Sequence, residues 1–217
     1  MSVNSMVIDG IAEAWGQPSE YVPVPEERFS QYEDRVPAAL LEVWRTYGFS
    51  GFGDGMFWLC DPEEWQPVVD VWTKDLDLEM GADSWLAVAR SAFGWMKLWG
   101  QRTGMSLTIV PYLGLIFPAD RSDKMGSEVK RMSQTYAALT PSREALDQSG
   151  EDGSDLYRRV FERLGSVGPG TMYGFVPALA LGGIMMPENV EIVDAVVHLQ
   201  LLSEVTPRRV LHDPYGG

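Results

Sequence analysis

Residues 85–117 read WLAVARSAFGWMKLWGQRTGMSLTIVPYLGLIF. Segments 85–92, 94–101, 106–111 and 113–117 within them are rich in aromatic and branched side chains, which suit a pleated surface. Gly94, the triplet Arg102-Thr103-Gly104 and Pro111 punctuate the run. Short apolar runs separated by turn residues predict an antiparallel meander.

Upstream, residues 56–59 read as one more strand. A helix should begin after Asp61, with Asp61 as N-cap, Pro62 at N1 and Glu64 at N3. Cys60, just before the cap, then packs on Trp65 as a small hydrophobe. Residues 48–55 form a glycine-rich loop that carries buried Phe49 and Phe52. Residues 37–47 form a clear helix: Pro37 suits its start, Leu40, Leu41 and Trp44 make an apolar stripe, and Gly48 suits its end. Residues 7–15 predict a short helix stopped by Gly16 and Pro18, and residues 21–25 an extended segment.

Downstream, residues 123–139 look helical. Residues 140–155 are polar and contain Pro141, Gly150 and Gly153, which marks a long loop or a domain boundary. Residues 156–164 form an amphipathic helix ended by Gly165. Residues 172–181 predict a strand pair, or a strand with a turn. Residues 188–205 predict one long helix, apolar around most of its circumference and hence well buried. The tail from residue 207 looks frayed. The expected fold is α+β: a central antiparallel sheet flanked by helices, with a C-terminal helical and β part packed on it. The expected division is 1–140 and 141–217, as two units or one body.

The chain has 217 residues, a net charge of −14 and a single cysteine, Cys60. A lone cysteine forms no internal disulfide, so a reducing compartment is the simple reading. No basic-then-apolar leader opens the sequence, and the longest apolar stretch, 172–187, is shorter than a membrane-spanning helix and is broken by Pro177, Gly182 and Gly183. A cytoplasmic location is expected, with no membrane partner. The strong negative charge argues against direct binding to nucleic acid, which needs lysine and arginine for its phosphates. The charge is uneven. Between residues 54 and 83 there are nine acids and one base, Lys74.

Motifs for chemistry are weak. With two histidines and one cysteine the chain lacks a structural zinc set, so no metal and no cofactor is expected. Glu191, Asp194 and His198 would share one polar arc of the last helix, more simply its exposed side than a cation site. His212 has no nameable partner. An EF-hand loop counted from Asp147 fails, because positions six and twelve hold Asp152 and Arg158. Gly51-x-Gly53 follows a helix and lacks a phosphate-loop lysine, so it is no dinucleotide fingerprint. Ser127-Glu128-Val129-Lys130 matches Ser-x-x-Lys but without companion motifs. The missing nucleophile, base and metal set argues against an enzyme. A carboxylate-dependent hydrolase acting on a small or carbohydrate ligand in an aromatic cleft is the alternative, since any acidic chain offers carboxylate pairs.

Two segments carry a family resemblance. Tyr173-Gly174-Phe175-Val176-Pro177-Ala178-Leu179-Ala180-Leu181-Gly182-Gly183 is followed by Asn189-Val190 and by His198-Leu199-Gln200-Leu201-Leu202. Leu156-Tyr157, Phe161 and Leu164-Gly165 precede them. This pattern resembles the C-terminal domain of type VI secretion immunity proteins that neutralise DNase toxins. Residues 37–65, with Trp44, Tyr47-Gly48, Gly51, Gly53, Gly55, Phe57-Trp58, Asp61-Pro62 and Trp65, resemble the GAD-like domain that precedes it. The resemblance implies a non-enzymatic antidote whose partner is a secreted nuclease with a basic DNA-binding surface. Its signature residues, mostly apolar or glycine, are expected mainly to build the fold. Binding residues do not carry over, so they are argued from charge. An acidic face complements a cationic groove and speeds encounter, which points to Asp54, Asp75, Asp77, Glu79 and Asp83. Trp58 and Trp72 are the expected exposed aromatic anchors.

Overall fold

A computed structural model of the chain describes residues 5–211. Three helices open the described chain: α1 (Ser5–Trp15), α2 (Glu26–Tyr32) and α3 (Ala38–Tyr47). Strands β1 (Gly51–Phe52) and β2 (Phe57–Leu59) lead to α4 (Pro62–Thr73). The meander follows as β3 (Trp85–Ser91), β4 (Met96–Gly100), β5 (Gly104–Val110) and β6 (Leu115–Pro118). Then come α5 (Glu128–Leu139), the short α6 (Arg143–Leu146) and α7 (Leu156–Leu164). β7 (Thr171–Phe175), β8 (Val190–Asp194), α8 (Ala195–Val205) and β9 (Arg209–Val210) complete the order.

The large sheet runs β1-β2-β3-β4-β5-β6-β9, antiparallel throughout except for the parallel β6–β9 pair. β7 and β8 form a separate antiparallel pair. All seven residues of β3 are buried, Arg90 among them. β3 lies inside the sheet and packs against α4. That double covering explains why its sequence is nearly continuous in apolar residues and does not alternate.

The predicted meander is present, and the helix after Asp61 forms as its local chemistry requires. The Asp61 carboxylate accepts from the Glu63 N–H at 3.0 Å. It also takes the Arg28 guanidinium at 3.0 Å, which fastens α2 to the start of α4. Cys60 is fully buried, and burial pushes its thiol up to about 12. Phe49 and Phe52 are core residues as expected, although Gly51–Phe52 is itself the edge strand β1.

Three expectations are corrected. Residues 188–205 are not one helix. Pro187–Asn189 is a 3-10 turn, Val190–Asp194 is β8, and the helix begins only at Ala195. The run Val190-Glu191-Ile192-Val193 is branched enough to pair with β7, and the Asp194 carboxylate caps the helix by accepting from Val197 N at 2.9 Å. Glu191 therefore lies on a strand, not on an arc with His198. Secondly, Arg209 and Val210 are not frayed, because as β9 they pair with Leu115 and Ile116 of β6, while the tail beyond residue 211 lies outside the described residues. Thirdly, residues 140–155 are not loop throughout, since α6 lies within them, and α2 is a helix where none is expected. His212 lies outside the described residues. Among the described residues no helix is long and apolar enough to cross a membrane.

Specific contacts bind the earlier and later parts of the described chain to each other. Arg90, on β3, donates to the carbonyls of Gly168 and Pro169 at 2.9 and 3.0 Å. Its guanidinium lies 5.2 Å from the Trp58 ring and 5.1 Å from the Trp65 ring. Burial pushes its pKa down to about 10, so it stays cationic at neutral pH. Tyr157 on α7 donates to the Gly53 and Asp54 carbonyls at 3.0 and 2.9 Å.

Candidate functional site

The acidic segment divides by structure. Asp75, Asp77 and Glu79 are exposed on the loop that follows α4. Asp75 adopts a left-handed φ of +55° there, a conformation Asp tolerates better than most side chains. Leu78 anchors the loop inward, and Asp120 joins the same neighbourhood across a small cleft floored by Pro118 and Val210. Asp120 follows β6, far away in sequence, so nothing local marks it. Asp83 does a different job. Its carboxylate accepts from Thr103 N and Oγ1 at 2.7 and 2.6 Å and from Arg102 N at 3.0 Å. Those bonds fasten the loop to the turn between β4 and β5. Asp54 is exposed on the β1–β2 turn at φ +57°, on an element separate from the 75–79 loop.

The two proposed aromatic anchors are corrected outright. Trp58 is 1% exposed and Trp72 is 0% exposed. Trp58 donates from Nε1 to the Gly55 carbonyl at 3.1 Å. A side chain at Gly51 would collide with its ring, at 2.5 Å from the added carbon. Trp72 donates to the Leu199 carbonyl at 2.9 Å and so joins α4 to α8. Aromatic side chains of this size contribute most when sealed in a core, and here the partner for each indole N–H is internal. Among the described residues, seven of the eight tryptophans are buried, and Trp95 packs partly buried against the same core. A small cleft of about 140 Å³ is lined by Phe49, Trp58 and Trp65 together with Asp61 and Glu64, and there Asp61 is held by Arg28 and by the start of α4.

The C-terminal signature also splits. Tyr173, Gly174 and Phe175 form β7 and are buried, as is Leu199 on α8. Tyr173 donates its hydroxyl to the Gly165 carbonyl, and Phe175 stacks on Phe93 with ring centres 5.9 Å apart. Gly174 is required by a close approach: an added carbon would stand 2.8 Å from His198 Nε2. Burial holds the His198 pKa below its ordinary value. After the cis Val176–Pro177 bond, Ala178 leads into a 3-10 turn, Leu179–Leu181, closed by Gly182 at φ +86°. Gly183 turns back so closely that a side chain carbon would lie 1.9 Å from the Pro177 carbonyl oxygen. This second half of the signature is a surface loop, and Leu181 at its tip is 64% exposed.

That exposure is part of a wider feature. Of twelve large apolar residues exposed among the described residues, seven lie between positions 176 and 205. Val197, Leu201 and Val205 follow one another at four-residue spacing on α8 and so make one stripe. Val197 and Leu201 are 54% and 55% exposed. The opposite face of α8, with Ala195, Leu199 and Leu202, is buried. The 3-10 turn Pro111–Leu113 touches both α8 and the Leu179–Leu181 turn, and Leu113 is exposed on it. Just beyond α8, Arg208 donates to the Val71, Trp72 and Lys74 carbonyls. The segment just after α8 therefore sits beside the start of the acidic loop. A contiguous exposed apolar surface with a polar rim marks an interaction site.

Comparison with known proteins finds two matching segments. Residues 6–113 match the model of the GAD-like domain, and residues 134–206 match that of the T6SS immunity protein Tdi1, C-terminal. Among solved structures, the crystal structure of Atu4351 from Agrobacterium tumefaciens is similar over 96% of this chain and 95% of that one, with a TM-score of 0.79 and 20% identity. At that identity the likeness establishes the shared fold. No curated protein matches the chain. The chain thus joins two family regions in one α+β fold. Its architecture is that of type VI secretion immunity proteins, with a GAD-like region at residues 6–113 and a Tdi1-type C-terminal region at residues 134–206.

Proposed function

We propose that the chain neutralises a cognate secreted nuclease by binding it, without catalysis of its own, and that the binding surface is the α8 stripe together with the loop at residues 74–80. The observation that carries this reading is the open apolar stripe on the immunity-type region, with an acidic loop beside the segment that follows it. A DNase presents a cationic groove to phosphate. Asp75, Asp77 and Glu79 complement such a groove and steer encounter, while Val197, Leu201 and Leu181 supply the water-excluding centre that affinity needs. Asp83 is left out of the contact set, because its carboxylate is engaged within the protein.

Co-expression with the nuclease encoded beside this chain, purification through a tag on one partner, and titration of DNA cleavage test the proposal. Stoichiometric co-purification with cleavage abolished is the expected result. Clean separation with cleavage intact would sink it.

A further inference from the structure

The small hairpin of β7 and β8 is closed along one side and open along the other. Its bonding register follows from its two ends. Val176 N donates to the Asn189 carbonyl at 2.7 Å, and Ala195 N donates to the Gly170 carbonyl at 3.0 Å. Antiparallel strands bond at alternate residues, so Glu191 and Val193 exchange their bonds with β7, opposite Gly174 and Met172. Val190, Ile192 and Asp194 therefore turn their backbone groups away from β7. On the far side of β7 the matching outward group is taken, because Tyr173 N donates to the Ala92 carbonyl at 2.8 Å. On β8, Val190 is closed as well. Its N–H turns back on the Pro187 carbonyl, and its own carbonyl accepts from the Arg163 guanidinium. Ile192 is not closed. Neither its N–H nor its carbonyl has a partner among the described residues, and the outward Asp194 N–H is likewise unpaired.

An open strand edge invites pairing, and proteins guard such edges with lysine, proline or a bulge. The register of β8 is regular, and Val190–Asp194 contains neither lysine nor proline. Ile192 is 39% exposed, and the Glu191 and Asp194 side chains on either side of it are exposed too. Between residues 190 and 198 there are two acids and no lysine or arginine. The strand runs straight into α8, whose first turn presents the exposed Val197.

We propose that the outer edge of β8 takes an extended segment of the partner as a third strand, with basic side chains against Glu191 and Asp194 and an apolar one against Ile192. This inference rests on the nuclease-binding reading and says how the contact is made. The main-chain bonds come from Ile192 and Asp194, and alternate side chains supply the selectivity, as in strand addition generally. Charge selects the occupant. A second copy of this chain would bring its own Glu191 and Asp194 beside these acids, and like charges across a strand pair are unfavourable. A DNA-cleaving partner carries the lysines and arginines that phosphate demands.

Amide hydrogen exchange of the isotope-labelled full chain, read by NMR with the chain free and then saturated with an inactivated form of the nuclease encoded beside it, tests the proposal. The Ile192 and Asp194 amides should exchange more slowly in the complex by about tenfold or more. Ile192→Pro removes the outward N–H and leaves the bonds to β7 in place, a position where edge strands tolerate proline. It should weaken nuclease binding by about tenfold or more. Ile192→Val keeps that N–H and should stay within about fourfold of the wild type. A complex in which Ile192 and Asp194 exchange as fast as in the free chain would overturn the strand addition and leave the nuclease reading standing. Failure to form any complex would remove both. Concentration-dependent protection of Ile192 in the free chain would also overturn the proposal, because a second copy would then hold the edge.

Discussion

The meander and the C-terminal hairpin with α8 are both rich in branched and aliphatic residues, yet they use them differently. β3 hides all seven of its residues, and β4 and β5 hide nearly all of theirs. β7 is equally buried, but β8 and α8 leave Ile192, Val197, Leu201 and Val205 in contact with solvent. Burial of a Val or Leu side chain is worth about 1.5–3 kcal/mol, so the meander turns its apolar content into stability. The C-terminal region keeps part of the same resource uncovered, where a partner can bury it. One region builds the protein and the other presents a surface, although Arg90 on β3 bonds the carbonyls just before β7 and Trp72 on α4 bonds α8, holding them in one structure.

The sharpest way to break this comparison is at Arg90. Arg90→Ala empties the space between Trp58 and Trp65 and leaves the Gly168 and Pro169 carbonyls without their donor. A loss of about 3–5 kcal/mol is expected, the range of large buried truncations. Urea unfolding followed by tryptophan fluorescence and by circular dichroism measures it. The wild type should show one shared transition, and an early separate transition of the C-terminal region would break the claim of a joined body.

The surface role of α8 is tested next. Val197→Asp with Leu201→Asp should weaken nuclease binding by about 2 kcal/mol or more, the scale of interface hot spots. Thermal stability should stay near that of the wild type, because both side chains already face water. Calorimetry on the complex and a melting curve on the isolated chain separate the two effects. A collapse in stability with unchanged affinity would reverse the assignment of this face.

A smaller effect is expected from the acidic loop. Asp75→Lys, Asp77→Lys and Glu79→Lys together should slow association by about tenfold at low ionic strength, and the difference should shrink at high salt. Stopped-flow mixing at two salt concentrations reads this directly, and a rate unaffected at both would remove the loop from the contact surface. Asp83→Asn serves as the contrast. It should cost stability through the β4–β5 turn and leave the association rate intact.

The smallest effect concerns His198. Burial lowers its pKa in the folded protein below the ordinary 6.5, so the folded state takes up a proton less readily than the unfolded one. Its stabilising contribution is therefore complete above pH 6.5 and is lost as the pH falls below that value toward the folded pKa. His198→Gln should flatten the acid side of the stability profile between neutral pH and about 5. Chemical denaturation across that interval checks the slope, and an unchanged slope would show that His198 is not its source.

Much of this was legible beforehand, for identifiable reasons. The 85–117 meander, the helix after Asp61 and the helix ended by Gly165 all rest on signals a few residues long: branched residues between glycines, an Asp-Pro start, a glycine stop. The break at Ala195 is hard to read because residues 190–205 are apolar at most positions, with polar residues scattered among them. Such a run satisfies a buried helix and a strand equally, and only the presence of β7 as a pairing partner resolves it. Trp58 and Trp72 were misplaced for a related reason. A tryptophan among acids looks like an exposed anchor in sequence, whereas the Leu199 carbonyl that receives the Trp72 N–H lies 127 positions away.

The sequence by itself determined the charge, the meander, several helix ends such as those at Asp61, Gly48 and Gly165, and the family pattern, because composition, periodicity and capping act over one or two turns of chain. The tertiary structure alone decided which acids share a loop, which tryptophans are sealed, and which apolar residues of α8 stay open. Those outcomes depend on contacts between segments 29 to 127 residues apart, and the physics that selects them is burial summed over the whole fold.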